Sequence, residues 1–168
     1  MNGLVNDPLK LFVVLLGCKP AGRNVEQHDV FFGIGDSLKS LMPAMRNFWP
    51  EGAINLHIDG YMQISQVENY KINIKPAEDK LISSAMKLFF INLGGYVPGD
   101  FEELHKKLLI PAYNVAEAMK NSKEHEFYKE GQRLGKDARS HIDDKYLLDL
   151  EAEDIIDVSA LLNEGNFY

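Results

Sequence analysis

The sequence predicts an α+β fold built by internal duplication, with two ββαββ-like units packed in pseudo-two-fold symmetry. Three observations predict it. Sliding the chain over itself by 77 positions aligns residues 10–45 with 87–122 without a gap, and nine of the 36 pairs are identical. Average composition would give about two. Each copy opens on a nearly continuous apolar run, KLFVVLLG or KLFFINLG, of the kind buried on both faces of a sheet. In both copies a Gly/Pro-punctuated loop, a second apolar strand and a helical stretch then follow in the same order. The predicted boundaries are residues 10–76 for the first repeat, 77–86 for a linker and 87–161 for the second, forming one compact domain.

The elements follow in chain order. GCKPAG and GGYVPG are loops, whose glycines serve tight turns and positive φ. DVFFGIG and KLLIPA are second strands, and Pro111 places the latter at a strand end or an edge. DSLKSLMPAMRNFW is helical, with Asp36 or Ser37 as cap and Leu38, Leu41, Met42, Met45, Phe48 and Trp49 as a core stripe. Pro43 inside it predicts a kink, or the first turn of a shorter helix. The counterpart NVAEAMKNSKEHEF starts with Asn114 and Glu117 in a capping-box arrangement, its inward face being Val115, Ala118 and Met119. AINLHIDGYMQI alternates, with Ile54, Leu56 and Ile58 on one face and Asn55, His57 and Asp59 on the other. YKINIK alternates as well, which suggests that the two form a hairpin. DIIDVSALL repeats that last strand more loosely. The segment HID returns at an offset of 84 rather than 77, so the second copy holds seven extra residues, which fit YKEGQRLGKDARS.

Composition narrows the function. The net charge of -7 is uneven: residues 1–84 carry 8 basic and 9 acidic side chains, residues 85–168 carry 10 and 16. A surface of that sign repels phosphate backbones, so no nucleic-acid partner is expected. LFVVLLG is too short to span a bilayer and MNGLVNDPLK lacks a basic signal region, so no membrane partner is expected either and the expected location is the cytoplasm. Cys18 is the single cysteine, which excludes an internal disulfide and any multi-thiolate metal site. Lys19 and Arg23 would lower its pKa if they lay close; burial is the expectation. The same two cations beside glycine amides resemble an anion nest, but Tyr96 and Asp100 replace them in the second copy. Neither loop matches a Walker or dinucleotide fingerprint, and no Ser-His-Asp pattern is visible.

The chemistry concentrates in a constellation kept by both copies. Residues i and i+2 of a strand share a face, so Glu26 with His28, and His57 with Asp59, form same-face pairs. Glu103 with His105, and His141 with Asp143, are their equivalents. If the two strands are neighbours, each copy offers two imidazoles and two carboxylates at one place, a set suited to zinc, iron or manganese. Glu26, His28, His57 and Asp59 are the candidate metal set, and all eight residues are candidate ligand-binding groups. The same groups also suit general acid–base chemistry of a hydrolytic or isomerase kind. The alternative is a non-catalytic, self-associating protein, a homo-oligomer in which these residues satisfy one another and the loop backbone.

At KLFFINLGGYVPGDFEELH, KLFVVLLGCKPAGRNVEQHD and LHIDGY, the chain resembles the bacterial DUF1543 family of small, internally duplicated, uncharacterised proteins. The resemblance covers most of residues 10–158 and implies the duplicated architecture and a bacterial cytosolic setting. It implies no activity, cofactor or catalytic residue.

Overall fold

The computed structural model describes residues 8–52, 54–74, 86–133, 140–147 and 153–157. The chain divides into two compact units, Met1–Ser65 with Asn73–Asp79, and Gln66–Ile72 with Lys80–Tyr168. Each is built on a three-stranded antiparallel sheet whose first strand in sequence lies in the middle. The fold is therefore α+β, with each sheet packed by helix. Among the described residues, no helix is long and apolar enough to cross a membrane.

In the first unit the strand order is β2(Gln27–Gly35), β1(Lys10–Cys18), β3(His57–Ile64). β1 is central, which explains its apolar run: Leu11, Val14 and Leu16 have no exposed surface. Phe12, Val14 and Leu16 point to one face and pack with Phe31, Leu41 and Met45. The helical stretch is short. A 3-10 turn at Lys39–Leu41 leads into α1(Met42–Phe48), and Pro43 sits in its first turn, where a missing N–H costs nothing. Ser37 Oγ donates to Asp36 Oδ1 and accepts from Ser40 N, but neither residue caps a helix: the N-caps are Leu38 for the 3-10 turn and Leu41 for α1, both without a side-chain partner. Hydrogen bonds from Ser40 and Ser37 hold the Asp36 carboxyl below its ordinary pKa. Phe48 is half exposed and meets Phe31 edge-on, with ring centroids 5.6 Å apart.

The expected hairpin between the HIDGYMQI strand and YKINIK does not form. β3 pairs with β1, and β5(Tyr70–Ile74) pairs with the two-residue β4(Gln66–Val67). Alternation identifies a half-buried strand but says nothing of its neighbour, and the positive φ of Glu68 closes a tighter turn than the one expected. β5 also borders β9(Glu153–Asp157) in a small third sheet. Ile54, expected on the inner face, is almost fully exposed because it precedes the strand.

In the second unit the order is β7(Leu104–Ala112), β6(Lys87–Gly95), β8(Ser140–Leu147). Lys87 faces Ala112 as Lys10 faces Gly35, so the central pairings keep one register at the 77-residue offset. Pro111 lies near the end of β7, an edge strand of this sheet, as its lost N–H requires. α2(Val115–Ser122) is capped by Asn114, whose Oδ1 accepts from Glu117 N at 3.0 Å while Glu117 Oε2 accepts from Tyr113 N at 2.9 Å. Ala118 and Ser122 form its fully buried side and Met119 is partly buried; Val115 is exposed, one turn too early to reach the sheet.

A further helix, α3(Glu126–Arg133), runs into the start of the stretch expected to hold the seven extra residues. Phe127 and Tyr128 anchor it on the core of Phe89, Ile91, Leu93 and Ile110. His125 precedes it, and its Nδ1 accepts from Phe127 N at 3.1 Å, which gives the fifth histidine a capping role. The expected linker falls almost wholly on residues outside the described set, as do residues 158–161 of the second repeat.

Candidate functional site

Each site starts from a glycine on the central strand. In the first unit Gly17 of β1 is paired with His28 on β2 and with His57 on β3. In the second, Gly94 is paired with His105 on β7 and His141 on β8. The glycines lie in strands, without positive φ; among the described residues the positive-φ glycines are Gly22 and Gly99 in the following loops. Turn chemistry therefore explains the latter pair only. A Cβ on Gly94 would lie 2.5 Å from Asp143 Oδ2, 2.6 Å from Glu103 Oε1 and 2.8 Å from His141 Nε2. A Cβ on Gly17 would lie 2.5 Å from Asp59 Oδ2 and 2.8 Å from His57 Nε2. The absent side chain is the floor on which the polar groups meet.

A β-bulge completes each set. Between Leu15 and Leu16 the register shifts so that Leu15 faces Gly60 and Leu16 faces Ile58, leaving Asp59 as the extra residue. Asn92 faces Asp144 and Leu93 faces Ile142, leaving Asp143 in the same role. Bulges bend a strand and re-aim a side chain. Here both bring a carboxylate over the glycine, on the sheet face opposite the helix-packed core. Glu26 and Glu103 enter from the residue immediately before β2 and β7.

The eight sequence-predicted residues thus fall into two groups of four. In the first unit His57 Nε2 lies 2.9 Å from Glu26 Oε1 and 3.3 Å from Asp59 Oδ1. His28 Nε2 lies 3.0 Å from Asp59 Oδ2 and 3.8 Å from Glu26 Oε2. In the second, His141 Nε2 lies 2.9 Å from Glu103 Oε1 and 2.7 Å from Asp143 Oδ1. His105 Nε2 lies 3.2 Å from Asp143 Oδ2 and 3.7 Å from Glu103 Oε2. Each imidazole faces both carboxylates through one ring nitrogen. Glu103, His105 and Asp143 each offer a ligand atom, all within 4.8 Å of one another, so this group could hold a metal ion.

The proton inventory of this arrangement is informative. His57 Nδ1 sits 2.9 Å from the carbonyl oxygen of Asn55, which makes Nδ1 the protonated nitrogen. A neutral His57 then turns its Nε2 lone pair toward two carboxylate oxygens, which is repulsive. Either a second proton or a cation must stand between them. The Asn55 carbonyl, with Glu26 and Asp59 nearby, accordingly raises the His57 pKa above 6.5 despite partial desolvation. In the second unit Glu103 Oε1 is buried, and what faces it is His141 Nε2 at 2.9 Å, an ion pair once that imidazole carries its second proton. An oxygen of that kind is costly unless a positive charge compensates it.

Three contributors escaped the sequence reading. Tyr96 donates its phenol to Glu103 Oε2 at 3.1 Å and stacks on the His141 ring, with centroids 6.0 Å apart and planes inclined by 21°. Glu103 in turn pushes the Tyr96 pKa upward, which keeps the phenol protonated. Gly17 and Gly94 were visible as repeat identities but read as turn residues. Cys18, by contrast, is a buried thiol: burial first, then Glu26 and Glu51, raises its pKa, opposite to the lowering that Lys19 and Arg23 would cause.

Residues 23–74 match the family described as Domain of Unknown Function (DUF1543). That span carries Glu26, His28, His57 and Asp59, one whole group, and it bears out the resemblance expected from the sequence. No curated protein matches the chain significantly. Among solved structures, the chain is similar to the crystal structure of a protein Il1583 from Idiomarina loihiensis, at 24% identity and a TM-score of 0.64. The match covers 88% of this chain and 86% of that one, and it speaks for the fold.

Proposed function

We propose that the protein binds divalent metal ions, one in each unit, through two imidazoles and two carboxylates: Glu26, His28, His57 and Asp59, and Glu103, His105, His141 and Asp143. The observation that carries this reading is the convergence of both imidazole Nε2 atoms of a unit on both of its carboxylates. An ion bound at about 2.0–2.2 Å spaces its ligand atoms by roughly 3–3.5 Å. The nitrogen–oxygen separations, 2.7–3.8 Å, bracket that spacing. The Asn55 carbonyl on His57 Nδ1 supports the same reading, because fixing the far nitrogen aims Nε2 as a ligand.

The ligand set of nitrogen and oxygen, without sulfur, suits zinc, iron(II) or manganese(II). All eight side chains keep solvent-facing surface, so water or a small anionic molecule can complete the coordination. A bound water would there be polarised beside two carboxylates able to take its proton, the raw material of hydrolytic chemistry.

The test is metal-free protein titrated with zinc, manganese and iron(II) in a calorimeter, with elemental analysis of the loaded product. Two ions per chain are expected. His28→Ala and His105→Ala should each remove one. A protein that takes up none, or variants that melt earlier while keeping full uptake, would assign these residues to the architecture alone.

A further inference from the structure

We propose that the two sites are unequal, and that Tyr96 makes the second-unit site the tighter one, filled first. This rests on the metal-binding reading above and adds a positioning residue that the repeat does not share. The residue aligned with Tyr96 in the first copy is Lys19.

A glutamate loses side-chain freedom on binding an ion. Its side chain is long, and fixing its rotamers costs conformational entropy. Tyr96 meets part of that cost in advance. Its phenol donates to Glu103 Oε2 and leaves Oε1 turned toward His141 Nε2. Its ring lies against the His141 ring, so one residue restrains a carboxylate and an imidazole of the same set. Glu103 retains 21% of its side-chain exposure where Glu26 retains 41%, and Asp143 retains 23% where Asp59 retains 30%. Less water around the carboxylates strengthens their pull on a cation.

The first unit lacks this support. Lys19 is exposed, carries no acceptor or ring, and brings a positive charge to the same sequence position. A cation approaching Glu26 meets a carboxylate with 41% of its side-chain surface exposed and no aromatic anchor from this position. Partners that orient a ligand in this way contribute about 10–100-fold in metal affinity. The duplication has therefore kept the ligands in both copies and varied the residue that holds them.

Calorimetric titration of the metal-free full chain with zinc tests this. Two classes of site are expected, the tighter removed by His105→Ala and the weaker by His28→Ala. Tyr96→Phe retains the ring and deletes only the hydroxyl; it should weaken the tight class about tenfold or more and leave the weak class unmoved. In the first unit, Lys19→Tyr should bind more tightly than Lys19→Phe, a comparison that cancels the lost charge. Equal sites in the unaltered protein, or a tight class indifferent to Tyr96→Phe, would overturn this inference while leaving metal binding intact. No uptake at either site would overturn both.

Discussion

Adding one carbon atom at Gly94 should separate the proposed metal site from the fold that carries it. The backbone there is ordinary strand, so alanine is conformationally acceptable and lowers the entropy of the unfolded chain. The obstacle is local. The new Cβ would stand 2.5–2.8 Å from one atom each of Asp143, Glu103 and His141, whereas ordinary contact begins near 3.4 Å. Each of the three atoms must then retreat by roughly half an ångström or more, beyond the tolerance of about 0.5 Å within which a coordination geometry survives. All three are proposed ligands of one ion. A loss on the order of 100-fold in that unit's affinity follows, about 2.7 kcal/mol. The first-unit site should be unchanged. The assay is zinc calorimetry beside a thermal melt, with Gly60→Ala as control, since a Cβ there meets nothing within 4 Å. Full second-unit affinity in Gly94→Ala would refute the claim that this glycine is the floor of the site.

Three further outcomes are expected. In ion-free protein the raised pKa of His57 contributes stability that is fully present below about pH 6.5 and is lost as pH rises through the raised value; His57→Gln should flatten that part of the Tm–pH profile. Zinc affinity should run the other way, strengthening as His57 gives up its second proton. Gly131→Ala should cost about 1–3 kcal/mol in urea unfolding, because its Cβ would collide with Ser140 Oγ, and Ser140→Gly should recover much of the loss; strictly additive losses would disprove the contact. Asn114→Ala should cost about 1 kcal/mol by removing the bond from Glu117 N, while Asn114→Gly should cost only a few tenths.

How far the sequence speaks can be read from these same residues. The central strands were legible because burial on two faces leaves a nearly continuous apolar run, as in Leu11–Leu16 and, interrupted by Asn92, Leu88–Leu93. The α2 cap was legible because Asn and Glu at that spacing satisfy backbone donors locally. What required long-range information was not. β3 alternates equally well whether it pairs with β1 or β5, and nothing local marks Asp59 as a bulged residue. α3 is strongly charged and contains Gly131, so propensity alone gives it little weight; only the docking of Phe127 and Tyr128 makes it a helix. The eight polar residues of the two groups stood out through repetition. Tyr96 could not, since it breaks the repeat.

One consequence of the bulged, glycine-centred geometry reaches past ligand chemistry. The four proposed ligands of each unit arise from the two outer strands or the loops entering them, and the middle strand supplies none. An ion would therefore act as a clasp drawn across the sheet, fastening margins that backbone pairing secures on one side only. Amide exchange should slow most along those margins on loading, and departure of the ion would let them fray first.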